Sequence, residues 1–134
     1  MTRLFTFLRR YWPSGLCLAV IIYATLSSDP IGADELPLIP HIDKIIHFIM
    51  MGGFAGAIAF DYYRADTRRH SLTLGRMARI AAAVALFSIF DEIAQATFTD
   101  CRGAELYDLL ADWAGCLVAL LLAPPAVRAV VRRR

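Results

Sequence analysis

The sequence is short of charge and shorter still of lysine: charged residues make up 19% of its 134 positions, and Lys44 is the only lysine. Its net charge is +2 against an apolar content of 58%. That balance excludes a disordered chain and argues against a nucleic-acid partner, both of which need fewer apolar residues or a more lopsided charge. Cysteine is scarce too. The three at positions 17, 101 and 116 are an odd count, so no structural disulfide is expected; Cys17 and Cys116 read as apolar filler and Cys101 as the one facing an oxidising side. There is no Walker loop, dinucleotide fingerprint, G-x-S-x-G elbow or Cys-x-x-Cys pair, which removes the common nucleotide, serine-hydrolase and thiol-redox chemistries. Internal repeats and low-complexity tracts are also absent.

What the chain has in excess is apolar surface. A single domain of this length leaves much of its surface exposed and could not bury so much in water, so the excess is expected to face lipid. Four apolar runs have the right length for ~30 Å of hydrocarbon at ~1.5 Å per residue: about 12–28, 45–63, 79–98 and 109–127. The fold class expected is all-α, one polytopic membrane domain over 1–134 with four transmembrane helices, because lipid demands that backbone polar groups pair internally. Arg3, Arg9 and Arg10 before a short apolar core also fit a signal peptide. Trp12 and Pro13 break that pattern and no small-x-small cleavage site follows, so an uncleaved span is expected. Pro124 and Pro125 are expected to end or kink the last span early.

Charge then orients the spans. Twelve of the fourteen basic residues fall at the N-terminus, in the loop from Arg64 to Arg79, and at the C-terminus from Arg128. The alternate connections, Asp29 to Lys44 and Thr99 to Asp108, are acidic. Basic residues stay in the cytoplasm, so both termini are expected inside the cell, in a multi-pass inner (plasma) membrane protein. The stretch from Pro30 to Pro40 reads as an external loop.

Ionisable residues within a span are costly and therefore mark candidate sites. Asp43, Lys44 and His47 open the second span, Asp91, Glu92 and Gln95 lie in the third, and Asp108 and Asp112 open the fourth, with Asp100 and Arg102 in the short loop between. All fall on the external side of the expected topology. Spacings of three and four put Asp43 with His47, Glu92 with Gln95, and Asp108 with Asp112 on common helix faces. Three helices can thus present polar stripes to one cavity. Asp91 cannot point with its neighbour Glu92, so one of the two is expected to serve an adjacent helix or a cap.

In this cavity Glu92 and His47 are candidate general base and acid with Asp43 orienting the histidine, while Lys44, Gln95, Arg102, Asp108 and Asp112 are candidate ligand-binding residues. A buried ion-pair network that only fixes helix register is the competing reading. The acidic cluster would also suit a divalent cation, but no spacing is diagnostic of one, so no metal or other cofactor is expected. Gly52, Gly56 and Gly115 are expected to serve close helix contacts rather than chemistry. His41 borders the cluster on the solvent side, and His70 falls in the basic loop without a catalytic signal.

The order Asp43-Lys44-x-x-His47-Phe48, Glu92-x-x-Gln95, Arg102, Asp108 and Gly115, spread from Asp43 to Leu122, resembles the VanZ-like family, small membrane proteins related to the teicoplanin-resistance component. That family often has an aromatic residue near Met51 and commonly an Asn where Asp112 stands. The resemblance implies a four-helix protein of the cell envelope and, for the named member, antibiotic resistance; it supplies no reaction. Together with the polar cluster it suggests binding of a lipid, glycolipid or lipoglycopeptide headgroup at the external leaflet, with acid/base chemistry as one version. Membrane lipids or lipid-linked envelope precursors are the expected partners. The alternative is a non-catalytic shielding protein or accessory subunit of an envelope-biogenesis or resistance system.

Overall fold

The computed structural model describes residues 2–27, 41–65, 71–99 and 105–132. All regular structure among them is helical: α1 (Thr2–Arg10), α2 (Trp12–Leu26), α3 (Ile42–Ala65), α4 (Leu74–Phe98) and α5 (Leu106–Arg132). The polarity is inverted relative to a water-soluble bundle. Leu16 and Val20 on α2, Leu86, Phe90 and Ile93 on α4, and Leu117, Leu121 and Leu122 on α5 are all exposed, whereas Asp61, Asp91, Glu92, Gln95 and Asp112 are buried. Such an apolar exterior is too extensive for a monomer in water.

The α3–α5 pair is the spine of the bundle. Small residues make it possible. A methyl group built on Gly52 would meet the Gly115 carbonyl oxygen at 3.0 Å, and one on Gly115 would collide with the Phe48 carbonyl oxygen, so the two backbones touch as small-residue seams allow. The expected role holds for Gly52 and Gly115 and not for Gly56, which has open space around it. From the seam toward the C-terminal ends of α3 and α5, Ile21, Met51, Phe54, Val84 and Cys116 fill one core cluster, and Ala59, Tyr63, Leu72, Met77, Ala123 and Val127 fill a second.

Sequence and structure differ at the end of the last helix. Pro124 and Pro125 do not end α5, which runs on to Arg132. Each proline removes one donor and strains one turn, but Ala123 and Val127 on either side are buried in the second core cluster, and packing holds the helix through the gap. Ahead of the first apolar run, residues assigned from sequence to no element form α1, a separate amphipathic helix. It breaks from α2 at Tyr11, next to a proline in the first turn of α2.

The α2 N-terminus has no side-chain cap from its own residues. Asp61 of α3 supplies one from across the interface. Its Oδ2 accepts the Ser14 N–H at 3.0 Å and also the Ser14 hydroxyl, which pairs an orphan helix donor with a negative charge at the positive end of the dipole. Arg64 donates to the Arg10 carbonyl at 2.8 Å, and Arg10 donates to the Ala65 carbonyl. The corner between α1 and α2 is thus riveted to the end of α3.

Two stretches, Ile42–Ala65 and Leu106–Val131, are long and apolar enough to cross a membrane. Helix α2 is apolar but has 15 residues, or ~22 Å at ~1.5 Å per residue. Helix α4 has 25 residues and carries Arg76, Arg79, Asp91 and Glu92.

Candidate functional site

At the end of the bundle where α3 and α5 begin and α4 finishes, the polar residues form two layers. The outer layer is built around Lys44. Its Nζ donates to Asp43 at 2.6 Å, to Asp108 at 2.9 Å and to Glu105 at 3.0 Å. Three donors thus meet three carboxylates, two of them on half-exposed side chains and Asp108 nearly buried.

The inner layer lies one helical turn deeper, where residues four apart on α3 and α5 recur on the same face. His47 Nδ1 is 3.1 Å from Asp112 Oδ1 and 3.7 Å from Glu92 Oε1, and His47 Nε2 is 3.9 Å from Asp108 Oδ2. Only the first is a hydrogen bond by distance. The side chains of His47, Glu92 and Asp112 are 7%, 6% and 1% exposed, so this set sits inside the bundle. Glu92 is held from the other side, where its Oε2 accepts the Glu105 N–H at 3.2 Å. That contact ties α4 to the start of α5 and turns the second oxygen, Oε1, toward His47. Glu92 Oε1 and Asp112 Oδ2 are buried without a hydrogen-bond partner among the described residues.

Asp91 points away from Glu92, as adjacent helical positions require. It accepts the Thr25 hydroxyl of α2 at 3.0 Å, so it serves a neighbouring helix. Gln95 is buried one turn from Glu92. His41 is exposed and takes a left-handed backbone conformation, φ 62°, immediately before α3.

The structure therefore brings together His47, Glu92, Asp108 and Asp112 in one buried set and places Lys44 and Asp43 above it. Asp43, expected to orient His47, instead binds Lys44 at 2.6 Å. It lies in the first turn of α3 with its side chain 49% exposed, whereas His47 turns inward to α5, so the orienting carboxylate is Asp112. Arg102, Cys101, Asp100 and His70 lie outside the described residues. Sequence reasoning missed Glu105, which binds both Lys44 and Glu92; its signal was its place just ahead of an apolar run, where an acidic residue suits a helix start. It also missed Asp61 as a buried group. Cys17 and Cys116 are free thiols packed among apolar side chains.

A histidine and two carboxylates 3 to 4 Å apart, shielded from water, can exchange a proton with a bound group or hold a cation. The elements that carry them define a class: a helical bundle with an apolar exterior and a His/carboxylate set inside one end. The VanZ/LLP1 family model matches residues 2–129. With nearly its whole length matched, the chain belongs to the VanZ/LLP1 family. Comparison with curated proteins and with solved structures gave no match.

Proposed function

We propose that the chain is a multi-pass inner-membrane protein of the cell envelope, with four spans and both termini in the cytoplasm, that binds a lipid or glycolipid headgroup at its external leaflet. Support for the topology comes from the apolar faces of α2 to α5 and from the segregation of twelve basic residues away from the acidic loops. The observation that carries the binding role is the inner set: His47, Glu92 and Asp112 are buried within the bundle directly beneath the half-exposed rim of Asp43, Lys44 and Glu105. A headgroup at the rim has charged and hydrogen-bonding partners while its chains stay against apolar helix faces. In the catalytic version His47, oriented by Asp112, exchanges a proton with the headgroup and Glu92 acts as the base. A lipoglycopeptide such as teicoplanin, amphiphilic in the same way, is a candidate ligand of the same rim and links the site to antibiotic resistance.

The test is mass spectrometry of lipids retained by the protein in native membrane discs, wild type against Glu92→Gln. A specific lipid that is enriched with wild type and depleted with the variant is expected. Identical lipid profiles would overturn the reading, and turnover of that lipid by purified protein would decide for the catalytic version. The topology is tested by labelling whole cells with a membrane-impermeant maleimide, which is expected to reach Cys101.

A further inference from the structure

The two polar layers differ in how their negative charge is met. In the outer layer the carboxylates of Asp43, Glu105 and Asp108 already surround a cation, the Lys44 ammonium. The inner layer has a similar gathering of groups, with one ligand atom each from His47, Glu92 and Asp112 all within 4.8 Å of one another. Among the described residues no lysine or arginine reaches it. Among the described residues its one side-chain donor within reach is His47, whose Nδ1 is 3.1 Å from Asp112. A single imidazole cannot satisfy two buried carboxylates. Glu92 Oε1, at 3.7 Å from Nδ1, is beyond hydrogen-bond reach, and it and Asp112 Oδ2 remain buried without partners on side chains that are 94% and 99% shielded. Buried carboxylates in such a state are costly unless a cation accompanies them.

The geometry points to a divalent first-row metal site formed by His47, Glu92 and Asp112, of the kind that takes Zn²⁺ or Mn²⁺. One imidazole with two carboxylates is a donor set suited to these ions. A metal ~2.1 Å from each donor needs ligand atoms about 3.0 to 3.4 Å apart, and the spacings of 3.1 and 3.7 Å from His47 Nδ1 need little adjustment. Each ligand comes from a different helix, α3, α4 or α5. The Glu105 N–H already orients Glu92 by holding its Oε2. Asp108 lies 3.9 Å from the remaining imidazole nitrogen, Nε2, beyond a hydrogen bond but on the side where a supporting carboxylate would stand. An outer carboxylate behind a ligating histidine is the usual support of such a centre. Three protein ligands leave a coordination position open, which is where an oxygen of an incoming molecule would bind. The site does not depend on which headgroup the rim takes.

The experiment measures metal in protein purified through a tag without histidines, in detergent and free of added lipid, so it is independent of the lipid experiment above. Elemental analysis after incubation with Zn²⁺ or Mn²⁺ and desalting is expected to give one ion per chain. Competition with a chromophoric chelator is expected to show affinity at least tenfold weaker in Glu92→Gln and in Asp112→Asn, with helical circular dichroism and gel-filtration profile unchanged. Asp112→Asn carries the test should Glu92→Gln fail to fold. Replacing all three cysteines by serine is expected to leave binding unchanged. Absence of stoichiometric metal in folded wild type, wild-type affinity in both carboxylate variants, or loss of binding with the cysteines would each overturn the proposal.

Discussion

Replacing Gly115 by alanine adds one methyl group at the most closely packed of the described glycines. That methyl would enter the space of the Phe48 carbonyl oxygen and lie 3.0 Å from the Gly52 nitrogen. Both are backbone atoms, so no rotamer change relieves the clash. Carbon–oxygen contacts begin at ~3.3 Å, and α3 and α5 would have to part by roughly 1 Å. Overpacking of this kind costs about 1–3 kcal/mol, and with rigid atoms on the far side the upper end is expected, or a fall in Tm on the order of 10 °C for a chain of this size. The damage should reach the site as well. His47 is the residue before Phe48 and Asp112 lies three before Gly115, so the same parting would stretch their 3.1 Å contact to about 4 Å, beyond a hydrogen bond. Thermal unfolding followed by helical circular dichroism in detergent reads the first effect, and chelator competition at the inner set reads the second. The control is Gly56→Ala, where a methyl meets nothing within 4 Å; it should be neutral or stabilising by up to about 1 kcal/mol through helix propensity. Wild-type stability in Gly115→Ala, or equal losses in both variants, would refute the reasoning.

Thr25→Val keeps shape but removes the hydroxyl that Asp91 accepts at 3.0 Å in a buried position, so a loss of about 1–3 kcal/mol is expected by thermal unfolding, with Thr25→Ser close to wild type. Asp61→Ala removes the cap that α3 lends to α2; a loss of about 1–2 kcal/mol is expected, with faster hydrogen exchange concentrated in the first turn of α2, and uniform exchange changes would argue against a local cap. Lys44→Met leaves Asp43, Glu105 and Asp108 facing one another. Its Tm deficit should shrink as salt rises from about 0.05 to about 1 M, since partly exposed charges are screened; a salt-independent deficit would mean that packing of the lysine stem, not charge, is what matters.

Much of this was legible in the sequence, and the parts that were not share a cause. Long apolar runs placed α3, α4 and α5 because hydropathy is a local property, and i, i+4 spacing put Asp108 and Asp112 on one face for the same reason. The order of Asp43, Lys44, His47, Glu92 and Gln95 was enough to suggest the family. Which carboxylate reaches His47 is set by the rotation and separation of α3 against α5, fixed by Gly52 and Gly115, and spacing along one helix could only offer Asp43. Asp61 lies near the end of the second apolar run, and that it caps another helix depends on where α2 begins. The continuation of α5 through Pro124 and Pro125 rests on burial of Ala123 and Val127, a tertiary effect that overrides the local rule. Helix α1 escaped notice because its nine residues are too few and too polar to stand out as an apolar run.

For the proposed headgroup ligand, the backbone contact between α3 and α5 also bears on the route of arrival. A seam in which carbonyl oxygens meet glycine backbone has no width for an acyl chain, so the approach to His47 from within the bilayer is shut along that groove. Entry from the side has to pass α4, whose outer face presents Phe90 and Ile93, 63% and 56% exposed. On the proposed binding role, bulk at those two positions would govern the rate at which a lipid reaches the site while leaving its equilibrium affinity nearly untouched.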